Sequence, residues 1–99
     1  MLQSNWTLIS THGLVLFHIA AHGDSTMREI AESLSITERR VVQIIRDLQE
    51  AGMLHTIRKG RRNSYVVNLD SGFDAPHFEH TSIRDFMHLV GTGPQSSVA

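Results

Sequence analysis

The stretch TMREIAESLSITERRVVQIIRDLQEAG, residues Thr26 to Gly52, decides the fold because it contains two amphipathic helical segments separated by three residues. Thr26 and Glu29 have the spacing of a capping box, in which each side chain bonds the backbone N–H of the other residue. The apolar residues that follow recur at positions i, i+3, i+4 and i+7, as one face of a helix requires. They are Met27, Ile30, Ala31 and Leu34. A short amphipathic helix is therefore predicted after Thr26.

The second helical segment follows the polar turn Ser35-Ile36-Thr37. Thr37 has an N-cap side chain, and Glu38 is favourable in the first turn because a helix N-terminus carries partial positive charge. Gly52 supplies a C-terminal stop. The apolar face consists of Val41, Ile44, Ile45 and Leu48. A short helix, a tight turn and a longer helix together predict a helix-turn-helix.

The polar face of this second helix indicates a partner. Successive residues of a helix are about 100° apart, and the direction opposite the apolar face is occupied by Arg39, Gln43, Arg46 and Glu50. Three of these four side chains can donate hydrogen bonds to DNA. We therefore predict DNA contacts from Thr37, Arg39, Arg40, Gln43 and Arg46. Taken alone, such a face is more typical of a solvated helix surface, because helix surfaces are usually charged.

A further helix is predicted upstream of the helix-turn-helix. Ser10 or Thr11 can cap it, and Gly23 is predicted to end it in the left-handed conformation. The apolar run 14–21 is interrupted by His18 and is much shorter than the ~20 residues of a membrane span. It is therefore predicted to be a core helix, with no membrane partner.

A basic β-hairpin is predicted downstream. After Gly52 the apolar period changes from 3.6 to 2, and Gly60 and Asn63 interrupt the alternation. Four of the nine basic residues fall in segment 58–62, and residues 37–67 hold seven basic and three acidic groups, a net charge of +4 in a chain of net charge -1. The predicted DNA contacts of the hairpin are Arg58, Lys59, Arg61, Arg62 and Asn63. The alternative is a charged tip that prevents edge-to-edge strand pairing.

The segment MREIAESLSITERRVVQIIRDLQEAGMLHTIRKGRRNSYVV, residues 27–67, resembles the core of winged helix-turn-helix transcription regulators, closest to the MarR-like and ArsR-like groups. The resemblance extends over about 8–68. It implies a mainly α fold with a three-helix core, a two-stranded wing and an additional C-terminal helix. It also implies a prokaryotic, cytoplasmic, usually dimeric regulator whose third helix reads the major groove while the wing touches phosphate or the minor groove. Many members bind a small effector, but no residue pattern here identifies such a site.

The remaining sequence suggests how the unit is completed. We predict a winged helix-turn-helix domain over 1–69, a connector over 70–80, a helix over 81–91 and a disordered tail over 92–99. Thr81 or Ser82 can cap the helix. Its apolar stripe, together with a residue near the N-terminus, is predicted to form a two-fold dimer interface. The interface residues are Trp6, Ile83, Phe86, Met87 and Val90. The alternative is that this helix packs on its own core.

Composition argues against several functional classes. The absence of cysteine excludes disulfides, thiolate zinc sites and a cysteine nucleophile. The absence of cysteine fits a reducing cytoplasm, and the first residues show no basic start or small-residue cleavage site of a secretory signal. No nucleophile and base have a recognisable spacing, and a chain of 99 residues has little core for a deep cleft, so we predict no catalysis and no cofactor.

Two alternatives to DNA binding stay open at the sequence level. A winged helix can bind protein instead of DNA, because the fold does not fix the function. The seven histidines also raise the possibility of metal sensing, since His18 and His22 are spaced i, i+4 and His77, His80 and His88 lie near the C-terminus. No single run has the ligand number and spacing of a closed site, so no metal is predicted.

Overall fold

A computed structural model describes residues 7–72 and 75–89. Its elements in chain order are α1 Thr11–Ala21, α2 Met27–Leu34, α3 Glu38–Glu50, β1 Leu54–Lys59, β2 Arg62–Val67 and α4 Ile83–Leu89. This order confirms the predicted mainly helical fold, in which α2 and α3 form the helix-turn-helix and the hairpin β1–β2 forms the wing. Trp6 and Val90 of the predicted dimer interface, and the predicted tail 92–99, lie outside the described residues.

The local signals that begin α2 and α3 are confirmed. Thr26 Oγ1 accepts a hydrogen bond from the Glu29 N–H at 3.1 Å, and Glu29 Oε1 accepts one from the Thr26 N–H at 2.8 Å. Thr37 Oγ1 accepts from the Arg40 N–H at 3.0 Å. Ser35 turns the chain between the helices in the left-handed conformation, with φ 57°. A cap of this kind is typically worth about 1 kcal/mol, because it satisfies a donor that the helix leaves unpaired.

The apolar faces of the helices and the hairpin meet in one core. All four predicted residues of the α3 face are buried, as are Ile30 and Ala31 of α2. The hairpin contributes Leu54, Tyr65 and Val67. Full burial of one aliphatic side chain is worth roughly 1.5–3 kcal/mol. Because α3 has four such side chains, the core fixes its orientation and leaves its opposite face to solvent.

The wing is a two-stranded antiparallel hairpin whose register runs from Leu54 opposite Val67 to Lys59 opposite Arg62. Its turn contains two residues, and Gly60 has φ 62°, the positive φ that favoured two-residue hairpin turns need at their first central position. The expected interruption at Asn63 is absent. Asn63 lies in β2 opposite Arg58, since so short a turn leaves it paired.

α1 is capped by Ser10, whose Oγ accepts from the Gly13 N–H at 3.1 Å. The prediction that Gly23 ends α1 in the left-handed conformation is wrong, because Gly23 is not among the residues with positive φ. Gly52 has φ 78°, so the corresponding prediction for α3 is confirmed. Of the helices in the described residues, none is long and apolar enough to cross a membrane.

α4 begins after Ser82, whose Oγ accepts from the Asp85 N–H at 3.1 Å, as one of the two predicted caps. Ile83 and Met87 are only 3% and 0% exposed and belong to the core of the chain itself. Their predicted place at a dimer interface is therefore corrected, because neither side chain reaches the surface. A small domain needs most of its apolar residues for its own core. Phe86 is half-buried, and its ring stacks on Phe17 with centroids 5.8 Å apart.

Candidate nucleic-acid interface

The polar face of α3 is exposed along its first three turns. Arg39, Arg40, Gln43 and Arg46 all lie in solvent. Arg40 Nη1 and Gln43 Oε1 are 3.4 Å apart, a long and exposed hydrogen bond that leaves both groups available to a partner. Thr37 is also exposed, and its hydroxyl keeps a hydrogen to donate while its oxygen caps the helix.

The nine basic side chains fall into two groups by their pairing. Arg28 and Arg84 lie outside segment 37–67 and each meets a carboxylate, Glu32 at 3.4 Å and Asp70 at 3.1 Å. The other seven lie on α3 and the wing. Among the described residues, 7–72 and 75–89, none of these seven has a carboxylate oxygen within the 4.0 Å of an ion pair. Unpaired cations that are crowded together favour the approach of a polyanion.

The wing presents its cations around the turn. Arg58 Nε donates to the Gly60 carbonyl oxygen at 3.0 Å, which holds the guanidinium against the tip. Arg61 occupies the second turn position, and Lys59 lies directly opposite Arg62. All five predicted wing residues are exposed: Arg58, Lys59, Arg61, Arg62 and Asn63.

Arg62 differs from its neighbours because it also contacts the connector between α1 and α2. Its Nη2 donates to the Asp24 carbonyl oxygen at 2.8 Å, and the Ser64 hydroxyl donates to Asp24 Oδ1 at 2.5 Å. The Ser64 hydrogen bond, with the positive charge of Lys59, lowers the pKa of the Asp24 carboxyl below its usual value. The carboxylate is therefore ionised beside the cationic outer part of the wing.

The C-terminal half of α3 is occupied by contacts within the protein. His12 Nε2 and Asp47 Oδ2 form a 2.8 Å hydrogen bond that joins α1 to α3. Gln49 Nε2 donates to Thr56 Oγ1 and joins α3 to β1. Glu50 is exposed in the last turn. The α3 side chains that DNA could contact therefore lie in its first three turns, from Arg39 to Arg46, and a recognition helix commonly inserts its N-terminal residues into the groove.

A model of the MarR family matches residues 6–62, more than half of the chain. The chain belongs to the MarR family. This family is one of the two groups that the sequence resembles, and its members are DNA-binding transcription regulators and not enzymes. The match runs from before α1 to the start of β2, so it includes α3 and all four wing cations.

A solved structure supports the fold of this MarR-family chain. CymR, the global cysteine regulator of B. subtilis, is similar to it with a TM-score of 0.51 and 24% sequence identity, over 100% of this chain and 71% of that chain. At this identity the likeness shows the winged-helix fold alone. No curated protein matches the chain.

Two residues that lie next to the predicted contacts on α3 and the wing are missing from the sequence prediction. Val42 is 41% exposed on α3, one turn from Arg39 and one turn from Arg46. Its spacing from those two arginines is a signal that the sequence already contained. Asp24 had no such signal, because its partners Arg62 and Ser64 are 38 and 40 residues away.

The histidines do not assemble into a metal site in the described part of the chain. Over residues 7–72 and 75–89 there is no group of three or more side chains that could hold a metal ion. His18 Nε2 and Ser25 Oγ are 3.1 Å apart, and the His18 and His22 rings are 5.2 Å apart. Burial lowers the pKa of His18, and the neighbouring His22 lowers it further, so the neutral imidazole is favoured.

An apolar cavity of about 470 Å³ lies between three helices: the N-terminal part of α1, the C-terminal part of α3, and α4. Its lining includes Leu16, Phe17, Leu48, Ile83 and Phe86, with His12 as its titratable side chain. The small effector that the sequence resemblance implies stays a prediction, because an apolar lining by itself does not select a ligand chemistry.

Proposed function

We propose that the protein binds double-stranded DNA in a sequence-specific manner, with α3 in the major groove and the wing on the phosphate backbone or in the minor groove. The observation that carries this proposal is the pairing of the cations. The two basic residues outside segment 37–67 pair with carboxylates, whereas the seven on α3 and the wing pair with none in the part of the chain that the structure describes. Since α3 packs against β1, both surfaces can face one duplex.

Base reading belongs to the N-terminal half of α3. An arginine can bond the O6 and N7 atoms of guanine through two donors, and Gln43 can bond the N6 and N7 atoms of adenine in the same way. Arg39 and Gln43 are one turn apart and project from a backbone that four buried side chains hold in place. That rigid support favours base contacts, which tolerate little displacement.

Val42 adds an apolar contact to the same face. A side chain of this kind that is 41% exposed beside two arginines can touch the C5-methyl group of thymine, the apolar group of the major groove. Scattered exposed aliphatic residues are common on proteins, so the case for Val42 rests on its position between Arg39 and Arg46.

The wing supplies sequence-independent affinity. Arg58, Lys59 and Arg61 are exposed near the turn, where the hairpin has no buried side chain to fix it. Once the wing points toward the duplex, contacts to phosphate accept small variation in position better than base contacts do, because they require charge more than exact geometry. The wing therefore places the protein on the duplex while α3 selects the sequence.

A homodimer would place two such units on one operator, as a two-fold interface allows. Leu8 is 87% exposed and Leu89 is 77% exposed, so each leaves an apolar surface near the chain ends available to a second copy. Sedimentation of the wild type and of Leu89→Asp tests this part, because Leu89 contributes little to the chain's own core. A wild type that sediments as a monomer at all concentrations contradicts the dimer.

The test of DNA binding itself is a fluorescence anisotropy titration with a mixed-sequence duplex at about 50 mM and about 200 mM salt. We expect binding at low salt that weakens steeply at high salt, since bound cations release counterions. Two variants that each remove one positive charge form a matched pair. Arg46→Ala removes it from the proposed interface, and the control Arg28→Ala removes it from an existing ion pair. Absence of binding even at the lower salt concentration removes the DNA function and leaves the protein-interaction alternative.

A further inference from the structure

The connector between α1 and α2 lies against the outer edge of β2. The Tyr65 N–H donates to the Gly23 carbonyl oxygen at 3.1 Å, so one backbone hydrogen bond joins the connector to the edge of the hairpin. A Cβ at residue 23 would lie 2.9 Å from the Tyr65 carbonyl oxygen, so the approach depends on glycine. The connector therefore reaches β2 more closely than any other residue type would permit.

Asp24 continues this contact toward the wing tip. Its carboxylate accepts from the Ser64 hydroxyl, and its backbone carbonyl accepts from the Arg62 guanidinium. Residues 62 and 64 lie on the same face of β2, because side chains alternate along a strand. Ser64 is only 7% exposed, so its hydroxyl depends on Asp24 for its hydrogen bond.

The position of this contact matters because a two-stranded hairpin is only marginally stable by itself. Leu54 is the buried residue of β1, and the exposed residues from His55 to Lys59 have no core beneath them. Beyond Tyr65 toward the tip, Ser64 and Arg62 supply the contacts of β2 with the connector. Arg62 is adjacent to the turn, and Ser64 is three residues from Arg61, roughly 10 Å at strand spacing.

We propose that Asp24 is a positioning residue for the wing, which fixes the direction in which Lys59 and Arg61 are presented to DNA. This inference rests on the proposed DNA-binding function. The charge of Asp24 and its positioning role predict opposite effects on DNA affinity when the side chain is removed. An acidic side chain next to a cationic surface repels DNA, so charge alone predicts that its removal strengthens binding. A positioning role predicts the reverse, because a wing without a fixed direction makes fewer phosphate contacts.

Three variants separate the hydrogen bond of Asp24 from its charge. Asp24→Asn removes the charge and keeps an acceptor for the Ser64 hydroxyl. Ser64→Ala removes the hydrogen bond and keeps the charge, whereas Asp24→Ala removes both. We expect Asp24→Ala and Ser64→Ala to bind mixed-sequence duplex several-fold more weakly at low salt. Their log-log salt slope should fall by roughly 0.9 for each phosphate that the wing no longer neutralises. Asp24→Asn should bind at least as tightly as the wild type. Glu50→Gln is the control, because it removes an exposed negative charge from the last turn of α3 and should not weaken binding.

A second readout follows the wing without DNA. The chain contains no cysteine, so Arg28→Cys and Arg61→Cys introduce the only two sites for spin labels, one on α2 and one at the tip. The distance distribution between the labels should broaden in Asp24→Ala and Ser64→Ala but not in Asp24→Asn, with all variants folded by circular dichroism. The positioning role is overturned if Asp24→Ala binds as tightly as the wild type, or if the distribution is unchanged. A wild type that binds no DNA refutes the proposed function, while the distance measurement still tests the position of the wing.

Discussion

α3 and the wing are both basic, but they are held in place differently. α3 buries four aliphatic side chains under its polar face and is joined to α1 and β1 by side-chain hydrogen bonds. The outer half of the wing contains one buried residue, Ser64, and its contacts there are polar. The two surfaces therefore offer similar charge on supports of different stiffness.

This difference assigns the two surfaces different tasks. Hydrogen bonds to base edges need atoms placed within tenths of an ångström, which a packed helix can provide. Phosphate oxygens surround the duplex on all sides and accept a cation from many directions, which suits an exposed hairpin. The predictions below test whether stiffness and task are linked in this way.

The largest expected effect is on stability. Ile44→Ala removes a fully buried side chain beneath the reading face and should lower the free energy of unfolding by about 2–5 kcal/mol. Ile57→Ala, in the wing, removes a side chain that is 44% exposed and should change it by less than about 0.5 kcal/mol. Urea denaturation followed by circular dichroism measures both. Equal losses would show that the wing is as firmly packed as α3.

The next effect is on sequence selection. Arg39→Ala or Gln43→Ala should weaken binding to the preferred duplex by about 1–3 kcal/mol if the substitution removes a base contact made through two hydrogen bonds. Binding to scrambled duplex should change less. The preferred site comes first from selection on random duplex. Anisotropy titrations of both duplexes then give the two changes in affinity, with Arg28→Ala as a control outside the interface. Similar changes on both duplexes would move these residues to the phosphate-contacting group.

A smaller effect is expected at Val42. Replacing single thymines of the preferred site by uracil removes only the methyl group, and one such position should weaken wild-type binding by about 0.8 kcal/mol, the value of one buried methylene. The same replacement should have no effect on Val42→Ala, because the contacting methyl groups are already absent. If the uracil series affects both proteins equally, Val42 does not touch thymine.

The smallest expected effect concerns the pH dependence of stability, and it tests the environment of His18 on α1. Burial lowers the pKa of His18 in the folded chain below the ordinary histidine value of about 6.5. The unfolded chain therefore takes up a proton first as the pH falls, and stability decreases as the pH falls from about 6.5 toward the lower folded-state pKa. His18→Gln should show a shallower decrease in unfolding free energy than the wild type. His55→Gln, at an exposed position of β1, is the control. An unchanged slope in His18→Gln would contradict the assignment.

The parts of the fold that are encoded locally were predictable from the sequence. The capping box of Thr26 and Glu29, the Thr37 cap and the apolar face of α3 each depend on residues fewer than a dozen positions apart, and all are confirmed. The hairpin was predictable for the same reason, since its period of two and Gly60 are local features. Local spacing also placed the cations of α3 and the wing in solvent.

The features that local patterns do not reveal depend on distant parts of the chain. The apolar stripe of α4 indicates that one face is covered, but the pattern does not say by what, and the chain's own core covers Ile83 and Met87. A glycine after a helix is often a left-handed stop. Position 23 instead requires glycine for space, because Tyr65 of β2 passes beside it and leaves no room for a Cβ. The hydrogen bonds of Asp24 to the wing are hidden from the sequence for the same reason.

The central claim is that the wing positions the protein and α3 reads the sequence. The most direct measurement compares Arg61→Ala/Arg62→Ala with Arg28→Ala/Arg84→Ala, which remove the same net charge from the wing and from two existing ion pairs. Affinity for preferred and scrambled duplex is measured across a salt series. We predict that the wing variant binds both duplexes more weakly by a similar factor, with a log-log salt slope flatter by roughly 0.9 for each phosphate that it no longer neutralises, while the control keeps the wild-type slope. A wing variant that has no sequence preference but keeps the wild-type slope would contradict the account.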